Sequence, residues 1–156
     1  MSDYVIIAPH MDDEIIGAYE YLITKNPIIL YTEDASKERQ EEALKLKDFV
    51  QIKAQMFLRN IPNQLLSFDN IFLVPDPYFE SHPAHRSQGF IGEQLARKGH
   101  NVIFYTTNMT APYIKEVYDP KGKEDLLNKI YPSQKFLWEY EKKYVIFEGK
   151  CKWIFK

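Results

Sequence analysis

Tyr4-Val5-Ile6-Ile7-Ala8-Pro9-His10-Met11-Asp12-Asp13-Glu14 is the stretch that decides the fold. Its first five residues form a continuous apolar run, the pattern of a strand buried on both faces of a parallel sheet. Pro9 ends that run, and an amphipathic segment from Asp13 to Lys25 follows with helical spacing. A histidine and two adjacent carboxylates therefore fall on a strand-to-helix turn. In open α/β sheets, ligands bind at the carboxyl ends of strands.

Outward from this unit the pattern repeats. Pro27–Thr32 reads as a second strand. A charged helix over Ser36–Gln51 follows, with Ser36 as N-cap and Ala43, Leu44, Leu46, Phe49 and Val50 as its buried stripe. Gln55–Arg59 and Ile71–Val74 read as strands. Pro75-Asp76-Pro77 then opens a loop that carries Ser81-His82-Pro83-Ala84-His85-Arg86. A helix over Gln88–Lys98 is ended by Gly99, and Asn101–Thr106 forms another strand. Helices over Lys123–Ile130 and Gln134–Glu141 and a strand over Tyr144–Phe147 complete the expectation. Strands alternating with helices predict an α/β fold: one three-layer domain over residues 1–156, with a mostly parallel, Rossmann-like sheet and helices on both faces.

The chain has 156 residues, 27% of them charged, with a net charge of −2. That balance gives no global attraction to nucleic acid or to an anionic membrane. Cys151 is the single cysteine, which rules out an internal disulfide and is compatible with a reducing compartment. No signal-peptide pattern precedes Tyr4, and no apolar run approaches the ~20 residues needed to span a bilayer. A cytoplasmic protein is expected.

Catalytic zinc usually takes three His and carboxylate ligands and keeps one position for water. His10, Asp13 and one of His82 and His85 can supply such a set. Asp12 and Asp13 are consecutive, so at a turn their side chains diverge, one to the metal and the other towards a water. A metal brings the pKa of water down to about 7, where a neighbouring carboxylate can take its proton. The remaining histidine would stabilise the oxyanion or protonate a leaving amine. Each cluster alone has a plainer explanation, since Asp-Asp-Glu caps helices and loop histidines are mostly solvated. Their conjunction, each just after a strand, is what points to chemistry. Cys151, far in sequence from either histidine cluster, reads as a packing residue.

The two clusters also carry a resemblance. Pro9-His10-Met11-Asp12-Asp13-Glu14 resembles the HPDDE motif of the LmbE/PIG-L family of zinc-dependent N-acetylglucosaminyl deacetylases, and His82-Pro83-Ala84-His85-Arg86 resembles that family's HPDH motif. Thr32-Glu33, Arg39 and Glu42 in an R-x-x-E pattern, and Ser133-Gln134 follow in the same order with weaker similarity. The resemblance implies His10, Asp13 and His85 as ligands of Zn²⁺, with Fe²⁺ fitting the same set. It implies Asp12 as general base, and His82 as the group that assists the oxyanion and the leaving amine. The substrate implied is a small N-acetylated amino sugar or sugar conjugate. A modified nucleoside or other small amide is the alternative substrate, and a non-catalytic metal- or sugar-binding module is the alternative class. Met11 stands where the family has proline. Ala84 stands where the family has the aspartate that supports the catalytic histidine, leaving Glu80 or Asp76 as substitutes. The chain is short for this family, so trimmed pocket-forming segments are expected.

Overall fold

The structure is a computed structural model that describes residues 2–155. Seven strands form one sheet: β1 (Tyr4–Ala8), β2 (Ile28–Tyr31), β3 (Ala54–Phe57), β4 (Ile71–Pro75), β5 (Asn101–Thr106), β6 (Ile114–Glu116) and β7 (Phe147–Cys151). Their order is β3-β2-β1-β4-β5-β7-β6, parallel from β3 to β5, with β7 antiparallel to both of its neighbours. Ile6 is in register with Ile29 on one side and Leu73 on the other, so β1 is central. The expected α/β architecture is the one observed.

Alternation along the strands sorts the core into two layers. Ile6, Ala8, Ile29, Tyr31, Leu73 and Tyr105 face one side of the sheet. There they meet α1 (Asp13–Ile16), α2 (Tyr19–Thr24), α3 (Lys37–Leu44), α5 (Pro120–Ile130), α6 (Lys135–Tyr140) and α7 (Lys143–Ile146). Val5, Ile7, Ile28, Leu30, Phe72, Val74 and Phe104 face the other side, against α4 (Pro83–Arg97) and the C-terminal Trp153 and Phe155. The crossover from β1 to β2 therefore runs over one face and that from β4 to β5 over the opposite face. The crevice between the carboxyl ends of β1 and β4 is the switch point where such sheets take ligands.

Several boundaries differ from the sequence expectation, each for a local reason. The helix expected over Asp13–Lys25 is two short helices broken at Gly17-Ala18. The Tyr105 ring lies so close to Gly17 that a Cβ there would sit 2.3 Å from its Cδ2. The helix expected to start at Gln88 starts at Pro83, because Pro fits the first helical position and His82 caps it by accepting the Ala84 N–H. The histidine pair is thus at a helix N-terminus and not in a loop. Gly99, with φ 98, ends that helix as expected. α3 stops at Leu44, and a 3-10 turn takes over at Leu46–Asp48. α5 begins at Pro120, three residues before the expected start, because Asp119 caps the Gly122 N–H at 2.9 Å. Tyr144–Phe147, expected as a strand, is helical to Ile146, with Val145 buried under the sheet. The strand begins at Phe147.

Lys123 ties the two halves of the helical layer together. It is fully buried, and its Nζ donates to the carbonyls of Ile16 (2.7 Å) and Phe147 (3.0 Å), with Glu148 at 3.7 Å. Burial, opposed by Glu148, brings its pKa down to about 8. Among the described residues no helix is long and apolar enough to cross a membrane.

Candidate metal centre

β1 delivers His10 to the carboxyl edge of the sheet two residues past its end, and the first turn of α1 presents Asp13 beside it. The N-terminus of α4, arriving from β4, presents His85 to the same point. The atoms facing one another are His10 Nδ1, Asp13 Oδ2 and His85 Nε2. They are separated by 3.1 Å (His10–His85), 3.4 Å (His10–Asp13) and 3.0 Å (Asp13–His85). Two ligands held at 2.0–2.2 Å from one tetrahedral ion lie about 3.3–3.6 Å apart, so the triangle needs to open by only a few tenths of an ångström. Among the described residues, His10, Asp13 and His85 form the one group of three His, Cys, Asp or Glu donors that can hold a metal ion. The donor set, two imidazoles and one carboxylate, fits a borderline divalent ion.

The electrostatics favour a cation at that point. Asp12, Asp13, Glu14 and Glu80 are all buried around His10 and His85. Burial alone would push Asp13 up, but His85 and then His10 outweigh it and hold its carboxyl below the usual range. Burial would lower the His85 pKa, yet Asp13 and Glu80 raise it to about 10. A divalent ion would neutralise these carboxylates in place of the His85 proton.

The donors are oriented by further contacts. The His10 backbone N–H donates to Asp13 Oδ2 at 2.8 Å, fixing the turn. His85 Nδ1 lies 3.2 Å from Glu80 Oε2, and Thr107 braces Glu80 from behind through both its backbone N–H and its hydroxyl. A carboxylate on the outer nitrogen fixes the tautomer and raises the basicity of a metal-binding imidazole. Glu80 was expected as a partner for His82; it supports His85 instead. Asp76, the other expected substitute, is occupied elsewhere. It accepts from the Tyr78 and Phe79 N–H groups, Tyr113 (2.5 Å) and Trp153 (2.9 Å).

Asp12 does not join the triangle. It sits beside it in a cleft of about 480 Å³, with φ 138, a conformation that costs a non-glycine residue about 1–3 kcal/mol. Two neighbours hold it there. Arg39 Nη2 donates to the Met11 carbonyl and lies 3.5 Å from Asp12 Oδ2. Glu14 Oε2 accepts the Asp12 N–H at 3.2 Å, while Tyr131 donates its hydroxyl to Glu14 Oε1. Burial and the adjacent Asp13 push the Asp12 carboxyl up, against the pull of Arg39. Glu14, fully buried, is raised to about 7 by desolvation despite its two hydrogen bonds.

His82 is exposed at the rim of the cleft, its ring centroid 4.7 Å from that of His10. Its Nδ1 accepts the Ala84 N–H at 3.1 Å, so the proton of the neutral ring is on Nε2. Burial, His10 and His85 together lower its pKa.

All five residues singled out from the sequence, His10, Asp12, Asp13, His82 and His85, line this one cleft. Arg39 and Gln134 line it too, and Glu42 accepts from Ser133 (N–H 3.0 Å, hydroxyl 2.5 Å), which docks the segment carrying Gln134. Thr32 and Glu33 do not; they lie in a separate crevice beside Phe57 and Leu58. Sequence reasoning missed Thr107, although its place one residue past β5 marks it as carboxyl-edge. It also missed Leu137, Glu141, Lys143 and Tyr144, which come from the tail helices and had no local signal. Cys151 packs beside Asp76, and burial pushes its thiol up to about 12, far from a nucleophile's range. Compared with known proteins, the chain matches no family model and no curated sequence.

Proposed function

We propose that this protein is a metal-dependent amide hydrolase of the LmbE/PIG-L type, using Zn²⁺ to remove the acetyl group from an N-acetylated amino sugar or sugar conjugate. The observation that carries the reading is the triangle of His10 Nδ1, Asp13 Oδ2 and His85 Nε2 in one cleft with a separate, clamped carboxylate, Asp12. When bound there, Zn²⁺ supplies Lewis acidity towards a carbonyl and acidifies water. Fe²⁺ suits the same donors.

The chain's own residues then divide the work. Asp12 is the general base, since Asp13 is committed to the ion and Asp12 is the carboxylate left beside it. Its raised affinity for a proton suits it to take one from water and to hold it. His82 presents Nε2–H to the oxygen that gains charge as the carbonyl is attacked. Its Nδ1 is already bonded to the Ala84 N–H, so making it an imidazolium breaks the cap of α4. The leaving amine therefore takes its proton from Asp12, and His82 serves the oxyanion. This arrangement explains how the site dispenses with an aspartate at position 84.

The test measures zinc content and primary-amine release from a panel of N-acetyl compounds, for the parent and Asp12→Asn proteins. Asp12→Asn should keep stoichiometric zinc and lose about 10²–10⁴-fold in kcat. Near-normal turnover in that variant, or a parent protein that binds no zinc, refutes the reading.

A further inference from the structure

The catalytic cleft does not end at the metal triangle. Leu137, Glu141 and Tyr144, which line that cleft, also line an adjoining groove of about 320 Å³ together with Phe136 and Tyr140. We infer that this groove is a subsite for an uncharged apolar aglycone, an alkyl or aryl group carried on the amine half of the substrate. The inference rests on the deacetylase reading above. It adds the class of substituent the amine half carries and the residues that select it.

The groove is built on a fixed helix face. Trp138 is fully buried in the core and donates its Nε1–H to Asn128 Oδ1 at 2.8 Å, which sets the rotation of α6. Phe136 and Tyr140, two residues before and after it, consequently share the opposite, outward face at i, i+4 spacing. They are 62% and 95% exposed. Val145, the buried residue of α7, likewise fixes the turn that brings Tyr144 to the groove. Glu141 is the one charged group lining it, and its Oε1 is engaged by the Lys143 N–H at 3.2 Å. The groove is aromatic and aliphatic, with no cationic side chain among the described residues that line it, so it suits neither a phosphate nor a carboxylate.

Substrate geometry gives the groove its occupant. An acetyl group ends in one methyl, so it fits against the metal and cannot extend through a cleft of about 480 Å³. Whatever continues towards α6 belongs to the amine. An exposed aromatic patch that shares lining residues with a candidate reactive cleft is the kind of apolar surface that marks ligand binding.

The test uses zinc-loaded Asp12→Asn protein, so that binding is read without turnover. Two probe pairs are compared: the octyl and methyl β-glycosides of N-acetylglucosamine, and sugar-free N-octylacetamide and N-methylacetamide. The octyl member of a pair should bind about 10-fold tighter, equivalent to about 1.4 kcal/mol, or ~55 Å² of apolar surface at about 25 cal/mol per Å². The Phe136→Ala/Tyr140→Ala double variant, altered only at exposed positions, should bring the octyl-to-methyl ratio to about 1. Tyr118→Ser removes an equally exposed aromatic (93%) outside the cleft and should leave the ratio at about 10. An octyl preference in the amides with no glycoside binding leaves the groove assigned and overturns the amino sugar. Glycosides that bind and are deacetylated by the parent, with a ratio near 1, overturn the groove and leave the deacetylase. A ratio near 1 in both pairs, or a preference that survives the double variant, also overturns the groove.

Discussion

Gly89→Ala probes how tightly the metal centre depends on the packing of α4 against the sheet. Gly89 lies one turn after His85 on α4, and the helix crosses the Pro75–Pro77 segment there with no side chain between them. A Cβ at this position would lie 2.6 Å from both Cα and N of Pro77 and 2.8 Å from the Pro75 carbonyl oxygen. Carbon atoms prefer separations of at least about 3.5 Å, so α4 and the segment must part by roughly 0.9 Å. The obstacle is backbone on a proline-fixed stretch, and no rotamer change relieves it. His85 moves with its helix, whereas His10 and Asp13 stay on β1 and α1. Metal–ligand distances tolerate only about ±0.2 Å, so the site loses the geometry of one of its three ligands. The expected cost is about 1–3 kcal/mol of stability from overpacking, and a fall in zinc affinity of about 10–100-fold. Zinc affinity would be measured by competition with a chromophoric chelator, and stability by urea titration of the metal-free protein. Gly92→Ala is the internal control. Its Cβ would meet the side chains of Val74 and Phe104 at 2.9 and 3.0 Å, so it overpacks the core one turn further from the ligands. It should lower stability with a much smaller effect on zinc. A Gly89→Ala protein with the parent's zinc affinity would refute the claim that this contact sets the position of His85.

Three further outcomes follow from the structure. Glu80→Gln keeps the size of the side chain but removes the charge facing His85 Nδ1; zinc affinity should fall about 10–100-fold, with the fold retained by circular dichroism. Lys123→Met should change how stability depends on pH. The folded pKa of Lys123 is lowered to about 8, against about 10.4 in the unfolded chain, so above pH 8 the unfolded chain holds more protons and the parent gains stability with rising pH. Relative to the Met variant, the parent should gain about 1.6 kcal/mol between pH 8 and 9.5 in urea midpoints converted to free energy, and parallel curves would show that Lys123 does not titrate there. Arg39→Gln should leave zinc bound while lowering kcat more than it changes KM, because Arg39 holds the strained Met11–Asp12 peptide. Equal binding and turnover to the parent would remove it from the clamp.

The central βαβ frame and the five side chains of the site are legible in the order of the amino acids alone. An unbroken apolar run such as Tyr4–Ala8 has few ways to satisfy its backbone and bury every side chain except as an inner parallel strand, so the residues just past it must lie at the sheet's carboxyl edge. That places His10, Asp12 and Asp13 without any tertiary information, and the run ending at Val74 brings His82 and His85 near the same edge. Which group contacts which is set by how distant segments pack together. Glu80 supports His85, and not His82, because α4 starts at Pro83 and turns the His85 ring inward, while His82 spends its Nδ1 on the helix cap. Residue 17 has no room for a side chain because a tyrosine from β5, 88 positions later in sequence, occupies the place of its Cβ. The outer wall of the cleft comes from α6 and α7, whose aromatic residues carry no local sign of facing the His10, Asp13 and His85 cluster, 50 or more positions away in sequence. Periodicity reports what a segment buries, and it is silent on which distant segment comes to lie against it.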